Sequence, residues 1–162
     1  MRVLGIDPGL QLCGYACLQT GAGEESLIEA GVFSTDRNAA IEKRLNQIAE
    51  DVESLLEKFS PDIVAVEQLY SHYAHPKTAI LMGHARGVIL QRCAQRDIEV
   101  KSFSATRIKK SVTGNGRASK GQIQRTIQTI LSLPELPEPA DVADAVAVAL
   151  CCINCLNSPT VV

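Results

Sequence analysis

The spacing of apolar positions changes along the chain, and each change marks an element. Arg2 to Asp7, Gly14 to Gln19 and Leu27 to Ser34 are short β-leaning runs. They are separated by the turn signals Pro8-Gly9 and Gly21-Ala22-Gly23, which predicts a three-stranded antiparallel meander. From Ile41 to Phe59 the apolar residues Ile41, Leu45, Ile48, Val52, Leu55, Leu56 and Phe59 keep to one helix face, with Thr35 or Asp36 available as a cap. Pro61 ends that helix. Asp62-Ile63-Val64-Ala65-Val66-Glu67 is then a continuous apolar run closed by a carboxylate, as in a strand buried on both faces.

A second helix is predicted over Lys77 to Gln95, where Ala79, Gly83 and Gly87 recur at every fourth position. Mid-helix glycine costs about 1 kcal/mol relative to alanine, so two on one stripe predict close approach of another backbone. A short strand around Ile98 to Phe103 follows, then a basic helix-loop stretch through Gly114-Asn115-Gly116 and a helix from Ser119 to Leu131. Pro134, Pro137 and Pro139 make the next segment a linker, and it delivers a last helix from Asp141 to Cys155. A meander followed by alternating helices and strands predicts an α/β fold: a mixed five-stranded sheet flanked by helices on both faces, with right-handed crossovers. The strand ending in Glu67 is expected to pair in parallel with the strand ending in Asp7.

With 162 residues, 46% of them hydrophobic, one domain is expected, over residues 1–156, with a short tail at 157–162. The longest apolar stretches, such as Ala145 to Cys152, fall short of a bilayer span, and Met1-Arg2-Val3 lacks a signal-peptide layout. A cytoplasmic protein without a membrane partner is the expectation. The six cysteines are accordingly read as reduced thiols. Cys151, Cys152 and Cys155 are close enough to raise zinc, yet no second pair of ligands follows, so they read as small buried hydrophobes.

A net charge of −2 hides a segregation. Lys101, Arg107, Lys109, Lys110, Arg117, Lys120 and Arg125 lie in a stretch with no acid, while the rest keeps nine of the 16 basic residues and all 18 acidic ones. One patch can hold phosphates on a protein that otherwise repels them; a solvated helix face is the plainer reading of the same run.

Asp141 and Asp144 stand three apart, so in a helix both leave one face. Like charges held together raise a pKa unless a divalent cation joins them, and carboxylates and water suit magnesium or manganese. Each acid also has an innocent explanation. Asp7-Pro8-Gly9 fits a turn, and Asp141 and Asp144 fit first-turn acids on a helix dipole. Glu67 is harder to explain away, because an acid closing an apolar strand is desolvated unless it lies at a rim or is ligated.

Taken in order, Gly5-Ile6-Asp7-Pro8-Gly9, Val66-Glu67-Gln68 and Ala140-Asp141-Val142-Ala143-Asp144-Ala145 resemble the acidic motifs of the RuvC family of Holliday-junction resolvases. The resemblance covers nearly the whole chain and includes Gly83-His84-Ala85-Arg86-Gly87, Val112-Thr113-Gly114, Lys109 and Lys120. It implies an RNase H-like fold and a magnesium-dependent crossover junction endodeoxyribonuclease, a homodimer that resolves four-way DNA junctions by paired symmetric nicks in recombination and repair. It implies that Asp7, Glu67, Asp141 and Asp144 hold two Mg2+ ions per subunit, with Mn2+ as a substitute. Lys120 acts in catalysis, and Tyr70, Arg107, Lys109, Lys110, Arg117 and Lys120 contact DNA. Tyr70 takes a position usually held by phenylalanine and is expected to stack on an unpaired base. A branch-migration helicase of the RuvA and RuvB type is the implied partner. His72 and His75 follow Glu67 on the same loop, where a part in catalysis stays open beside the plainer reading of exposed loop histidines, which also covers His84.

Three other functions compete. An RNase H-like nuclease of ribosomal RNA processing shares the strand-end and late helical acids, but not the paired Asp141 and Asp144. An actin-like phosphotransferase needs two such domains. A non-catalytic junction scaffold has no use for four phosphate-repelling carboxylates.

Overall fold

The computed structural model describes residues 1–21, 24–69 and 76–157. In chain order the elements are β1 (Arg2–Asp7), β2 (Leu12–Gly21), β3 (Glu24–Ser34), α1 (Ile41–Phe59), β4 (Ile63–Glu67), α2 (Pro76–Gln95), β5 (Glu99–Phe103), α3 (Ala105–Thr113), α4 (Lys120–Ile130) and α5 (Ala140–Asn157). The sheet order is β3-β2-β1-β4-β5. The meander β1-β2-β3 is antiparallel, whereas β4 pairs in parallel with both β1 and β5, as the sequence pattern predicts.

Two cores cover the sheet, and alternation along β1 and β4 assigns residues to them. Leu4, Ile6, Val64 and Val66 pack with Ile48, Val52, Leu56 and Ile89 of α1 and α2. Val3 and Ala65 face the other way, toward Ile108, Ile123, Val146 and Ala149 of α3, α4 and α5. Among the described residues α5 is the one helix long and apolar enough to cross a membrane, yet it is mostly buried inside the fold. Its apolarity serves the core, where it lies against β1 and β2.

Small residues let α5 come that close. A Cβ on Gly5 would lie 2.8 Å from Ala149 N and would overlap the Ala145 carbonyl oxygen. Each methylene of extra separation here would open a void along the sheet.

The structure corrects one expectation. The residue before α1 is Ala40, with no side-chain cap; Thr35 instead donates its hydroxyl to Leu10 O at 2.6 Å, and Asp36 accepts from Asn38 N. Arg44 Nε binds the same Thr35 oxygen at 3.0 Å, so this pair pins the β1–β2 connection. Among the described residues of this chain the Gly83 and Gly87 stripe has no backbone against it: Gly83 has Leu69 Cδ1 at 3.8 Å, and Gly87 nothing within 4 Å. The strands β2 and β3 also run longer than their apolar cores, ending in polar residues that carry no period-two signal.

Candidate active site

The last β1–β4 pairing is Ile6 with Val66, both on the α1/α2 face. The next residue on each strand is an acid, and alternation turns Asp7 and Glu67 toward the α5 face, side by side. On β2 the partner of Asp7 is Gly14. A Cβ there would lie 2.7 Å from the Asp141 carbonyl carbon and would overlap its oxygen, so the absence of a side chain at Gly14 lets the first turn of α5 reach the end of β1. Asp141, Ala145 and Ala149, at every fourth position, run along Gly14 and Gly5. Sequence reading missed Gly14. Its signal was a glycine inside a strand, which marks close approach of another backbone.

The result is one electrostatic unit. Burial first, then the charges of Glu67, Asp144 and Asp141, push the Asp7 carboxyl up to about 8, with Lys120 pulling the other way. Glu67 is raised too, by burial and then by Asp144, against the opposing pull of Lys109 and Lys120. Lys120 Nζ binds Asp144 Oδ2 at 3.2 Å, and the Lys120 ammonium is held above its usual range chiefly by that carboxylate. Asp7 therefore senses the other three acids and Glu67 senses Asp144, with Lys109 of α3 and Lys120 of α4 opposing them. Among the described residues no three ligating side chains stand close enough to hold a metal ion as placed. The chemistry of the set still fits a divalent cation: half-buried oxygen donors, among which burial and then the neighbouring charges raise Asp7 to about 8, are relieved by positive charge.

Other groups hold this end of the sheet in shape. Arg86 of α2 donates from Nε to the Glu67 carbonyl at 3.1 Å and from Nη2 to Ser102 Oγ at 2.8 Å, tying the ends of β4 and β5 to one guanidinium. Cys13 Sγ donates to Gly9 O at 2.7 Å and accepts from Gly9 N at 3.3 Å, closing the turn after Asp7. Gln124 and Gln128 of α4 bind the carbonyls of Pro137 and Leu133, so the proline-rich linker lies along α4 before it enters α5.

The basic run does not gather as a whole. Lys109 and Lys120 lie within electrostatic reach of the acids. Lys101 pairs with Glu99 at 2.9 Å. Arg107 sits over the Phe103 ring at 5.6 Å with Nη2 3.3 Å from Cys155 Sγ, and Cys155 is about 20 Å along α5 from Asp141. Lys110 and Arg117 are exposed on α3 and in the α3–α4 loop. Tyr70, His72 and His75 lie outside the described residues. All six cysteines are free thiols, and burial pushes Cys151 and Cys152 up to about 11 and 12.

A five-stranded mixed sheet in this order, flanked by helices on both faces, defines the RNase H-like class. The family model described as "Crossover junction endodeoxyribonuclease RuvC" matches residues 3–152, and the chain belongs to that family. It is 46% identical to a crossover junction endodeoxyribonuclease RuvC of Rhodopirellula baltica over 130 residues, covering 80% of this chain and 73% of that one. The corresponding protein of Thermosipho melanesiensis is 41% identical over 132 residues, covering 82% and 83%. Among solved structures, Thermus thermophilus RuvC in complex with a Holliday junction substrate superimposes with a TM-score of 0.92 at 30% identity, covering 99% and 97% of the two chains.

Proposed function

We propose that this endonuclease resolves Holliday junctions as a magnesium-dependent homodimer, nicking two opposed strands symmetrically to leave ligatable ends. The observation that carries the reading is the convergence of Asp7, Glu67, Asp141 and Asp144 on one another, with Asp7 raised to about 8. Such a set of acids repels a phosphodiester unless cations intervene. Asp7, Glu67, Asp141 and Asp144 would hold a pair of Mg2+ ions, with Mn2+ as a substitute. The chemistry that pair supplies is an acidified water and Lewis-acid stabilisation of the leaving 3′ oxygen.

The chain's own residues do the rest. Asp7 would hold the cations as the ionised carboxylate, against the burial and neighbouring charge that favour its protonated form. Lys120, now on Asp144, is placed to neutralise charge on the attacked phosphate once that carboxylate has another partner, and Lys109 supports it from the Glu67 side. Arg107, Lys110 and Arg117 contact the DNA backbone further out, and Tyr70 stacks on an unpaired base at the crossover. Dimerisation supplies the second site, because a two-fold protein meets a two-fold junction with equivalent strands at both centres. The setting is recombination and repair in the cytoplasm, with the junction received from a branch-migration helicase of the RuvA and RuvB type. Residues 1–156 make up a nuclease domain, and α5 runs one residue past that bound, to Asn157.

The test is cleavage of a synthetic mobile four-way junction beside duplex and structured RNA. Magnesium-dependent paired nicks on the junction alone are expected. Single unpaired nicks, or equal cutting of duplex or RNA, would overturn the reading in favour of another RNase H-like nuclease.

A further inference from the structure

Beside the α3–α4 turn lies a cavity of about 210 Å³ lined by Thr113, Asn115, Ala118, Gln122, Arg125 and Thr126. It belongs to none of the acids, and its lining has no negative charge. Most of its polar groups already serve the loop. Thr113 Oγ1 donates to Lys109 O at 2.8 Å and accepts from Asn115 N, Asn115 Oδ1 accepts from Arg117 N at 2.9 Å, and Gln122 forms a reciprocal capping box with Ser119 at the start of α4. That bonding makes the walls rigid. Arg125 differs: its guanidinium has no hydrogen-bonding or ionic partner among the described residues, and a Cβ on Gly121, one turn earlier, would lie 3.5 Å from its Nη1. The side chain thus runs back along α4 toward the end that carries Lys120.

An unpaired planar fork of five donors beside a neutral polar hollow is a receptor for an oxyanion. Its neighbourhood favours one source. Lys109 of α3 and Lys120 at the start of α4 lie within electrostatic reach of the acids, and the Arg125 side chain runs back toward that end of α4, so a polyanion that reaches the acids comes close to it. We infer that Arg125 and the hollow beside it bind a backbone phosphodiester of a junction arm, at a subsite separate from the cleaved phosphate. This rests on the reading of the chain as a junction resolvase and adds a contact to it. Because the subsite touches phosphate and no base edge, it strengthens binding without selecting sequence.

The test measures affinity for a four-way junction by fluorescence anisotropy in EDTA across a salt series, for the wild type, Arg125→Gln, Arg125→Lys and Lys43→Gln. The last removes the same charge from an exposed site on α1. One lost phosphate contact lowers the slope of log affinity against log salt by about 0.9, so Arg125→Gln is expected to show that fall with a threefold to tenfold weaker Kd at low salt. Arg125→Lys is expected to recover most of the slope, and Lys43→Gln to keep the wild-type value. An unchanged slope in Arg125→Gln, or an equal fall in Lys43→Gln, would refute the subsite. A wild-type chain with no preference for junction over duplex would instead remove the reading beneath it.

Discussion

At the residue scale the site is a contest between burial and charge, centred on Asp7. In an unfolded chain its proton is lost near pH 4; in the fold it is kept to about pH 8. Between those values the folded state holds the extra proton, so Asp7 makes the metal-free protein less stable as pH rises, and the loss is complete above pH 8. Asp7→Asn removes that titration. In EDTA it is expected to exceed the wild type in stability at pH 9 by about 1 to 3 kcal/mol and to match it near pH 4, by urea melts at both values. The same variant is expected to lose junction cleavage at saturating magnesium, and wild-type cleavage would sink its assignment. Little of this energetics was legible in the sequence. Resemblance to the family's motifs picked out the acids, but the order of the forces on Asp7 depends on depth and neighbours, and the pairing of Lys120 with Asp144 joins residues 24 apart.

At the element scale, α5 approaches the sheet only because glycine and alanine line both surfaces. Gly14 permits the contact that brings Asp141 to Asp7. Adding a methyl there forces α5 outward, so Gly14→Ala is expected to cost about 1 to 3 kcal/mol in urea unfolding and to weaken the rise in melting temperature on adding magnesium. Gly21, with nothing within 4 Å among the described residues, is the control, and Gly21→Ala is expected to change neither measurement appreciably. Helix α1 could be read to its last residue because one apolar stripe repeats along it. Its start was misread, since Thr35 is claimed by Leu10 and Arg44 across the fold, and no local pattern announces such a competitor.

On the scale of the whole molecule, α2 leaves an apolar face open. Ile80 is 60% exposed and Leu81 36%, and the adjoining Gly83 and Gly87 make the surface smooth. The helix also holds Glu67 through Arg86, so whatever covers α2 adjoins the candidate site. If a second copy covers it, a charge at its centre separates the copies. Ile80→Asp is expected to sediment as a monomer and to give single, unpaired nicks, whereas a dimer that persists would place the subunit contact elsewhere.

The sequence by itself determined most of the elements and the parallel neighbouring of β1 and β4, because these follow from local periodicity and strand alternation, whereas the four acids stood out as a set only through their resemblance to the family's motifs. Tertiary structure alone decided which charges meet. Lys109 and Lys120 joined the acids while Lys101 and Arg107 went to the far end of α5, since membership of a charged stretch in sequence says nothing about the direction its helices carry each side chain. It also decided that two strand glycines, Gly5 and Gly14, make room for α5, because a void that another backbone fills leaves no local trace beyond the missing side chain.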